Sequence, residues 1–352
     1  MSEIHKKIRV LVIDDSPLVR NIITDLLEAE EDIEVIATGK TGLDCIELSQ
    51  KLKPDIITLD VEMPVMDGLT ALKELYEKNM KIGVLMLSAV TRQGAKATFK
   101  ALELGAYDFI PKPSSALKME LQELGNILRT KIRGYFEHKY KPRKRIRIKV
   151  GNFPDVKKFP IQAIGIGTST GGPNALQKIF SSFPEDFRYP VFVVQHMPAG
   201  FTKAFAERLD DTSNLTVKEA EHGELVRSGV AYVAPGNYHM RLKKKDDNIS
   251  IELDQGNLVN GHRPSIDVTL DSLCNCYGSS LVGVIMTGMG KDGALSMKKV
   301  KELGGATISQ DEKTSVIFGM NKQAIEMGAI DHIVPLEDIV SNILRIIKER
   351  GK

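Results

Sequence analysis

The stretch AIGIGTSTGGPNAL (residues 163–176) decides how the C-terminal half of this 352-residue chain folds. An apolar run leads into glycines and hydroxyl residues, and a helix-like pattern follows, which predicts a strand, a sharp turn and a helix. A turn of this kind can bind a phosphate, bind a dinucleotide or hold one serine as a nucleophile. Each possibility requires further residues elsewhere in the sequence.

The two nucleotide-binding possibilities each lack a residue that their chemistry requires. A P-loop has a lysine after its second glycine, but counting from Gly167 the second glycine is Gly172, and Pro173 follows it. A Rossmann turn would need its third glycine one position earlier than Gly171. The next apolar run, VFVV (residues 191–194), is not followed by the carboxylate that would hold a ribose.

The third possibility, a nucleophilic serine, matches the pattern. Residues 167–171 have the form G-x-S-x-G, the turn that lifts a serine, here Ser169, out of a strand-to-helix corner. A serine hydroxyl also requires a base and an orienting acid. His196 follows the buried-strand pattern YPVFVVQ, and Asp292 follows the pattern SSLVGVIMTGMGK. If these strands are parallel in one sheet, the three side chains meet at its carboxyl edge.

Each member of this predicted triad also has a purely structural explanation. Ser169 and Asp292 could cap the helices that follow them, and His196 could be a packed histidine at a strand end. His262, in NGHRPSID, is a second candidate for the base. The chain order Ser, His, Asp differs from the Ser, Asp, His order of α/β-hydrolases, so the triad would lie on a different scaffold.

Strands and helices alternate at short intervals in the first 125 residues. The runs IRVLVI, IEVIA, DIITLD, IGVLMLS and AYDFI predict five strands of a parallel sheet wrapped by helices. The polar residues at the strand ends are Asp14, Asp15, Asp60, Ser88 and Lys112. Three carboxylates at one edge would repel each other without a cation, and oxygen ligands favour Mg²⁺. One aspartate could then accept a phosphoryl group. Taken alone, Asp14 or Asp15 could instead be a helix cap beside Pro17, and Lys112 a surface lysine.

Composition and charge restrict the class of protein. The chain is 42% hydrophobic and 27% charged, which is typical of a folded globular protein. We expect a cytoplasmic location, because no apolar run approaches the roughly 20 residues of a membrane span and the N-terminus lacks a signal-peptide pattern. Residues 126–158 carry a net charge of +10 and little periodicity beyond the first turns. We interpret residues 126–159 as a basic interdomain linker, with an electrostatic contact to an acidic partner or nucleic acid as the alternative.

The motifs VIDDSPLVR, LDVEMPVMDG, LSA and KP give residues 6–125 a resemblance to the response-regulator receiver family. The resemblance implies a flavodoxin-like (βα)5 domain in which Asp60 is the phosphoacceptor. It implies that Asp14, Asp15 and Asp60 hold Mg²⁺. It also implies that Ser88 and Lys112 contact the phosphoryl group and that Tyr107 is the switching aromatic residue.

The motifs GTSTGGP, VQHMP, GHRPSID and MTGMGKDGA make residues 160–350 similar to the catalytic domain of the chemotaxis protein-glutamate methylesterase family. The resemblance implies a doubly wound, mostly parallel α/β/α sheet and a serine hydrolase. This enzyme would cleave γ-glutamyl methyl esters on chemoreceptors, and many members also deamidate receptor glutamines. It implies that Ser169, His196 and Asp292 are catalytic, that Met289 supplies an oxyanion donor and that Thr170 lines the site.

The resemblance also implies partners and regulation. The partners would be the cytoplasmic domains of methylated chemoreceptors and a chemotaxis histidine kinase, and we expect a monomer without nucleic acid or an esterase cofactor. The receiver would restrain the esterase until Asp60 is phosphorylated. Arg263 is a candidate contact to the receptor surface, and a solvent-facing arginine in a capping turn is the alternative. A phosphorylation-controlled nucleic-acid-binding protein is the rival class, although the C-terminal half shows no helix-turn-helix pattern.

Overall fold

The structure, a computed structural model, describes residues 7–112, 118–140 and 159–351. The chain divides into two compact units, residues 1–142 and residues 143–352. Each unit is described by itself. Across the described residues, no helix is both long enough and apolar enough to span a bilayer.

The N-terminal unit is a single parallel sheet with a helix after each strand. Its strands are β1 (Ile8–Ile13), β2 (Ile33–Gly39), β3 (Ile56–Asp60), β4 (Gly83–Ser88) and β5 (Asp108–Pro111). Its helices are α1 (Pro17–Glu28), α2 (Gly42–Leu52), α3 (Gly68–Glu77), α4 (Arg92–Glu103) and α5 (Lys118–Tyr140). The strand order β2-β1-β3-β4-β5 is that of the flavodoxin-like fold, which confirms the predicted architecture.

The burial of the strands explains this arrangement. Every residue of β3 and β4 is buried, as expected for inner strands of a sheet that is covered by helices on both faces. The side chain of Ser16 accepts a hydrogen bond from the Val19 amide and so begins α1. Thr41 and Asp44 form a capping box that begins α2. Because β1 and β3 are parallel neighbours, Asp14 and Asp60 lie at the carboxyl ends of these strands, at the same edge of the sheet.

Helix α5 corrects one sequence-based expectation. We expected residues 126–158 to carry little periodicity beyond their first turns, but α5 continues without interruption to Tyr140. Three buried residues spaced four apart, Leu124, Leu128 and Ile132, form one apolar face of the helix. The high density of basic residues obscured this spacing in the sequence. Residues 141–158, the rest of the predicted linker, lie outside the described residues.

The basic residues of α5 find acidic partners within the N-terminal unit. Arg133 lies 2.5 Å from Asp32 and 2.6 Å from Glu30, and Lys131 forms an ion pair with Asp108. Part of the predicted basic segment is therefore neutralised by the receiver-like unit itself. For Lys131 and Arg133, the acidic partners lie within the same unit of the chain.

The C-terminal unit contains a seven-stranded parallel sheet and a separate antiparallel hairpin. Its strands are β6 (Ala163–Thr168), β7 (Val191–Gln195), β8 (Thr216–Glu219), β9 (Val230–Val233), β10 (His239–Lys245), β11 (Asn248–Asp254), β12 (Leu281–Ile285), β13 (Ala306–Gln310) and β14 (His332–Val334). Its helices are α6 (Gly172–Phe180), α7 (Thr202–Thr212), α8 (Ile266–Tyr277), α9 (Ala294–Glu302), α10 (Met320–Glu326) and α11 (Ile339–Arg350). The sheet order is β14-β13-β12-β6-β7-β9-β8, and β10 pairs with β11.

This topology confirms the predicted doubly wound, mostly parallel sheet. Strand β6 lies at its centre, with β12 on one side and β7 on the other, and all three are parallel. The register pairs Gly167 with Ile285 and Thr168 with Gln195. The three predicted triad residues therefore follow the same ends of three adjacent strands.

Candidate active site and phosphoacceptor site

Ser169 occupies a tight turn between β6 and α6. Its amide donates a hydrogen bond of 3.0 Å to the carbonyl of Thr287, and its carbonyl accepts one of 2.8 Å from the Gly172 amide. Gly171 has a φ of 78°, a left-handed conformation that glycine adopts without strain. The G-x-S-x-G pattern thus produces the sharp strand-to-helix corner that the sequence predicts.

The loop after β12 lies directly against this corner. A Cβ placed on Gly288 would lie 2.7 Å from the Cβ of Ser169, so only glycine permits this approach. Met289 follows, and among the hydrogen bonds of the described residues none uses its amide. The hydroxyl of Thr287 donates to the carbonyl of Thr170, at 2.8 Å, which fixes the residue after Ser169. Thr170 is thus the residue after the predicted nucleophile, and Met289 is the residue after the glycine that packs against it.

His196 is anchored to the same corner through its backbone. Its amide donates to the carbonyl of Thr168, at 3.1 Å, one residue before Ser169. The side chain of Gln195 is buried, and its amide nitrogen lies 3.0 Å from the carbonyl of Ser169 and 3.0 Å from that of His196. Gln195 is a residue that the sequence analysis did not select, and it holds both backbone segments of the site.

The imidazole of His196 faces Asp292 with one ring nitrogen and leaves the other free. Its Nε2 lies 2.8 Å from Oδ2 of Asp292. Its Nδ1 is buried and has no hydrogen-bond partner among the described residues. No hydrogen bond joins Nδ1 to the hydroxyl of Ser169 in the described part of the chain; in enzymes without substrate, such catalytic contacts are often long or misaligned. The ring of His262 stacks on that of His196, with centroids 3.7 Å apart and planes 12° apart.

Asp292 is almost completely enclosed, with 1% of its surface exposed. Besides His196, it accepts hydrogen bonds from the side chains of Asn260 and Ser265, both at 2.8 Å, and from the amide of Ile266, at 2.7 Å. Burial alone would raise its pKa, but the hydrogen bonds from His196, Asn260 and Ile266 and the proximity of the imidazole hold the pKa of Asp292 well below its ordinary value. The carboxylate is therefore ionised at neutral pH.

The segment from Asn260 to Asp267 provides much of this enclosure, and the sequence analysis selected only part of it. Asn260 and Ser265 were missed because they lie in a loop and not at a strand end. Arg263, the candidate receptor contact, donates through its guanidinium to the side chain of Asn237, at 2.6 Å, and to the carbonyls of Gln255 and Gly256. These bonds tie three loops together, so a contact of Arg263 to the receptor stays a prediction.

A second site lies at the carboxyl edge of the N-terminal sheet. Asp14, Asp15 and Asp60 each place one carboxylate oxygen within 4.8 Å of an oxygen of the other two. Lys112 Nζ lies 2.7 Å from Oδ2 of Asp60 and 2.9 Å from Oδ2 of Asp14. Asp15, Asp60 and Lys112 line one pocket together with Ser88. The oxygen-only donor set, buried on two of its three members, fits a hard divalent cation such as Mg²⁺.

Charges in this second site perturb each other strongly. Burial raises the pKa of Asp60 to about 6, and the charge of Asp14 adds to this effect, while the ion pair with Lys112 opposes it. Burial alone would lower the pKa of Lys112, but its ion pairs with Asp60 and Asp14 raise it above the ordinary value. A cation bound here would be coordinated by the carboxylates and would offset the repulsion between their negative charges.

The remaining two predicted receiver residues contact their own unit. The hydroxyl of Ser88 lies 3.1 Å from the carbonyl of Gly94 and accepts a hydrogen bond of 2.6 Å from Thr98, both in α4. Tyr107 is buried and stacks on Tyr135 of α5, with ring centroids 4.4 Å apart. Burial raises the pKa of Tyr107 well above its ordinary value, so its hydroxyl stays protonated. The ring of Tyr107 thus connects β5 to the long final helix.

The N-terminal fold with its acidic edge is that of a response-regulator receiver, and the C-terminal sheet with its serine corner and imidazole–carboxylate pair is that of a hydrolase. Residues 10–122 match the family model described as the response regulator receiver domain, and residues 164–343 match the model described as CheB methylesterase. The chain belongs to the CheB methylesterase family and is a receiver-linked enzyme of that family. The resemblances identified in the sequence are confirmed.

Relatives match the chain over almost its full length. A protein-glutamate methylesterase/protein-glutamine glutaminase of Pyrococcus abyssi is 45% identical over 348 residues, covering 97% of this chain and 94% of the relative. One from Archaeoglobus fulgidus, with the same name, is 46% identical and covers 97% of this chain and 98% of the relative. The crystal structure of the Thermotoga maritima CheB methylesterase catalytic domain aligns with a TM-score of 0.52 and 46% identity, covering 53% of this chain and 98% of that domain.

Proposed function

We propose that this chain is a phosphorylation-activated serine hydrolase that removes methyl esters from γ-glutamyl residues of chemoreceptors and gives adaptation in bacterial chemotaxis. Methanol is released, and the same site deamidates receptor glutamines. The reaction takes place in the cytoplasm, on the cytoplasmic domains of the receptors. The observation that carries the proposal is the 2.8 Å contact between His196 Nε2 and Asp292 Oδ2, beside a serine corner to which the His196 backbone is bonded.

The ionised Asp292 determines which nitrogen of His196 acts as the base. A carboxylate only accepts hydrogen bonds, so the neutral imidazole carries its proton on Nε2. Nδ1 then has a free lone pair, and it is the buried atom without a partner among the described residues. Nδ1 is therefore the atom that accepts the proton of the Ser169 hydroxyl. Asp292 stabilises the imidazolium that results.

Ester cleavage then proceeds in two balanced steps. The Ser169 oxygen bonds to the ester carbonyl carbon while its proton moves to Nδ1 of His196. The carbon–oxygen bond to the methoxy group breaks, and the proton on Nδ1 passes to that oxygen, which releases methanol. Water attacks the glutamyl ester of Ser169 in the same way, regenerates the hydroxyl and leaves a glutamate carboxylate. With glutamine as substrate, the leaving group is ammonia.

The tetrahedral intermediates carry a negative oxygen that requires donors. Met289, with its amide unused by any described hydrogen bond and one residue beyond the glycine that contacts Ser169, is the first such donor. Thr170, immediately after Ser169, lines the site. Loss of one oxyanion donor typically costs about 2.7–4 kcal/mol of activation free energy.

The receiver controls this reaction through Asp60, which accepts a phosphoryl group from a chemotaxis histidine kinase. Asp14, Asp15 and Asp60 would hold Mg²⁺, which supplies positive charge to the phosphoryl oxygens when it is bound. Lys112 already lies between Asp14 and Asp60 and neutralises part of their charge. Ser88, in the same pocket, contacts the phosphoryl group, and Tyr107 is the switching aromatic residue.

The test is methanol release from membranes that contain methylated receptors, with and without a small phosphodonor. We expect release to rise with the phosphodonor for the natural chain. Ser169→Ala removes the nucleophile, so it loses turnover, and it still accepts phosphate at Asp60. Asp60→Asn shows the basal rate but no stimulation. Release by Ser169→Ala at the natural rate would refute the serine mechanism, and equal stimulation of Asp60→Asn would refute the phosphoacceptor.

A further inference from the structure

A tight two-residue turn lies over the candidate active site. The amides of Val259 and His262 each donate to the carbonyl of the other, at 3.1 and 3.0 Å. The two residues between them, Asn260 and Gly261, both have positive φ angles, 53° and 81°. Asparagine followed by glycine is the preferred sequence for a turn of this hand. Turn geometry alone would therefore account for both residues.

The side chain of Asn260 does more than the turn requires. Its Nδ2 lies 2.8 Å from Oδ1 of Asp292 and 2.8 Å from Oδ2 of Asp267. An amide NH2 group carries two hydrogens, so one can be donated to each carboxylate. The other oxygen of Asp267 accepts from the amide of Ser296, at 2.9 Å, and from its hydroxyl, at 2.8 Å. Hydrogen bonds thus run from helix α9 through Asp267 and Asn260 to the triad carboxylate.

The electrostatics of the site favour a double donor at this position. Burial raises the pKa of Asp267, and the charge of the neighbouring Asp292 raises it further. A bridging NH2 group lowers the repulsion between the two carboxylates, whereas a carboxylate or a hydroxyl at position 260 could not donate to both. Of the side chains that tolerate a left-handed backbone, asparagine is the one that supplies two hydrogens.

We propose that Asn260 is a positioning residue for the hydrolase reaction. The bridge to the anchored Asp267 fixes the orientation of the Asp292 carboxylate. The carboxylate in turn fixes the His196 ring with Nδ1 available to Ser169. This inference rests on the proposed function, because it assigns Asn260 a role in the same triad.

The test uses Asn260→Gly, because glycine keeps the left-handed turn without strain and removes the side chain that carries the amide. Ser265 and the Ile266 amide still hold Asp292, so the loss is partial. We expect kcat to fall by about 10- to 100-fold with KM unchanged, since a bond to a charged group is lost away from the substrate. The matched control is Asn79→Gly in the N-terminal unit, where φ is 54° and the described side chains make no bond to the asparagine amide. The control keeps its natural kcat.

A second measurement separates positioning from a general loss of structure. Nitrogen-15 chemical shifts of the imidazoles, in full-length protein labelled at histidine, report which nitrogen of His196 carries the proton. In the natural chain the proton lies on Nε2; in Asn260→Gly we expect a larger share on Nδ1. An unchanged kcat, or a lower kcat with an unchanged proton distribution, would overturn the proposal. If Ser169→Ala also keeps its activity, the proposed function itself has failed; if Ser169 is essential and Asn260→Gly is fully active, only this inference has failed.

Discussion

Gly288 and Ser169 approach so closely that a methyl group on residue 288 would lie 2.7 Å from the Cβ of the serine. Real Cβ atoms do not come this near each other, so the loop after β12 can lie beside the serine corner only with glycine at this position. The contact joins the segment that carries Met289 to the segment that carries Ser169, the proposed nucleophile. The distance between the Ser169 hydroxyl and the amide of Met289, the proposed oxyanion donor, therefore depends on residue 288 having no side chain.

The first prediction concerns this contact. Gly288→Ala forces the loop away from Ser169, and a displacement near 1 Å at a reacting centre costs on the order of 100-fold in rate. We expect kcat for methanol release to fall by about that factor while the protein remains folded. Gly256→Ala serves as the control, because its new Cβ would meet only the flexible end of Asp254. Natural activity in Gly288→Ala would contradict the assigned geometry.

The second prediction concerns Tyr107, whose buried hydroxyl has no hydrogen-bond partner in the part of the chain that the structure describes. A buried hydroxyl without a partner costs about 1–3 kcal/mol, so Tyr107→Phe should leave the free energy of unfolding unchanged or raise it. Tyr107→Ala removes the ring that stacks on Tyr135 and should lower it by about 3–5 kcal/mol. Denaturant titration of both variants checks this. Clear destabilisation by Tyr107→Phe would mean that the hydroxyl is bonded.

The third prediction concerns the ion pair between Arg133 of α5 and Asp32, in the loop between α1 and β2. The hydrogen bonds from Arg133 lower the pKa of Asp32, against a smaller opposing effect of burial. A lowered pKa stabilises the fold above the ordinary value of 3.8, and this stabilisation is lost as the pH falls through the lowered pKa. Because Asp32 is partly exposed, we expect Arg133→Gln to cost only about 1 kcal/mol at pH 7 and less as the carboxylates are protonated.

Amide hydrogen exchange of strands β1 to β3 at pH 7 and at acidic pH measures this difference, after correction for the intrinsic exchange rate. The control is Lys73→Gln, since Lys73 and Glu77 are both more than half exposed and 3.8 Å apart. We expect no change in the control. A cost for Arg133→Gln that stays constant as the carboxylates are protonated would rule out an electrostatic origin.

The fold and the position of the three proposed triad residues at one edge of the sheet could be predicted because both follow from strand ends. Ser169 and His196 come directly after buried runs, and parallel neighbouring strands bring such residues to one edge. Asp292 is seven residues beyond β12 and still reaches His196, because Gly288 lets the loop pass close to the corner. These relationships depend on local patterns that a single sequence displays.

Asn260, Ser265 and the full length of α5 could not be predicted on the same basis. Asn260 and Ser265 lie between a hairpin and a helix, and only the tertiary fold returns that segment to Asp292. In α5 the apolar positions Leu128 and Ile132 are present, but the surrounding basic residues resemble a solvated linker until their acidic partners are known. In both cases the sequence does not show which residue each side chain contacts in the fold.

The uninterrupted course of α5 to Tyr140 bears on how the two halves can be separated or exchanged. A receiver fragment ending at residue 125, as sequence motifs alone would suggest, keeps only the first 8 of the 23 residues of α5 and removes the arginine that binds Asp32. Such a fragment would expose the apolar surface that Leu128 and Ile132 cover and would tend to aggregate. Chimaeras that graft this receiver onto another output should therefore place their junction beyond residue 140.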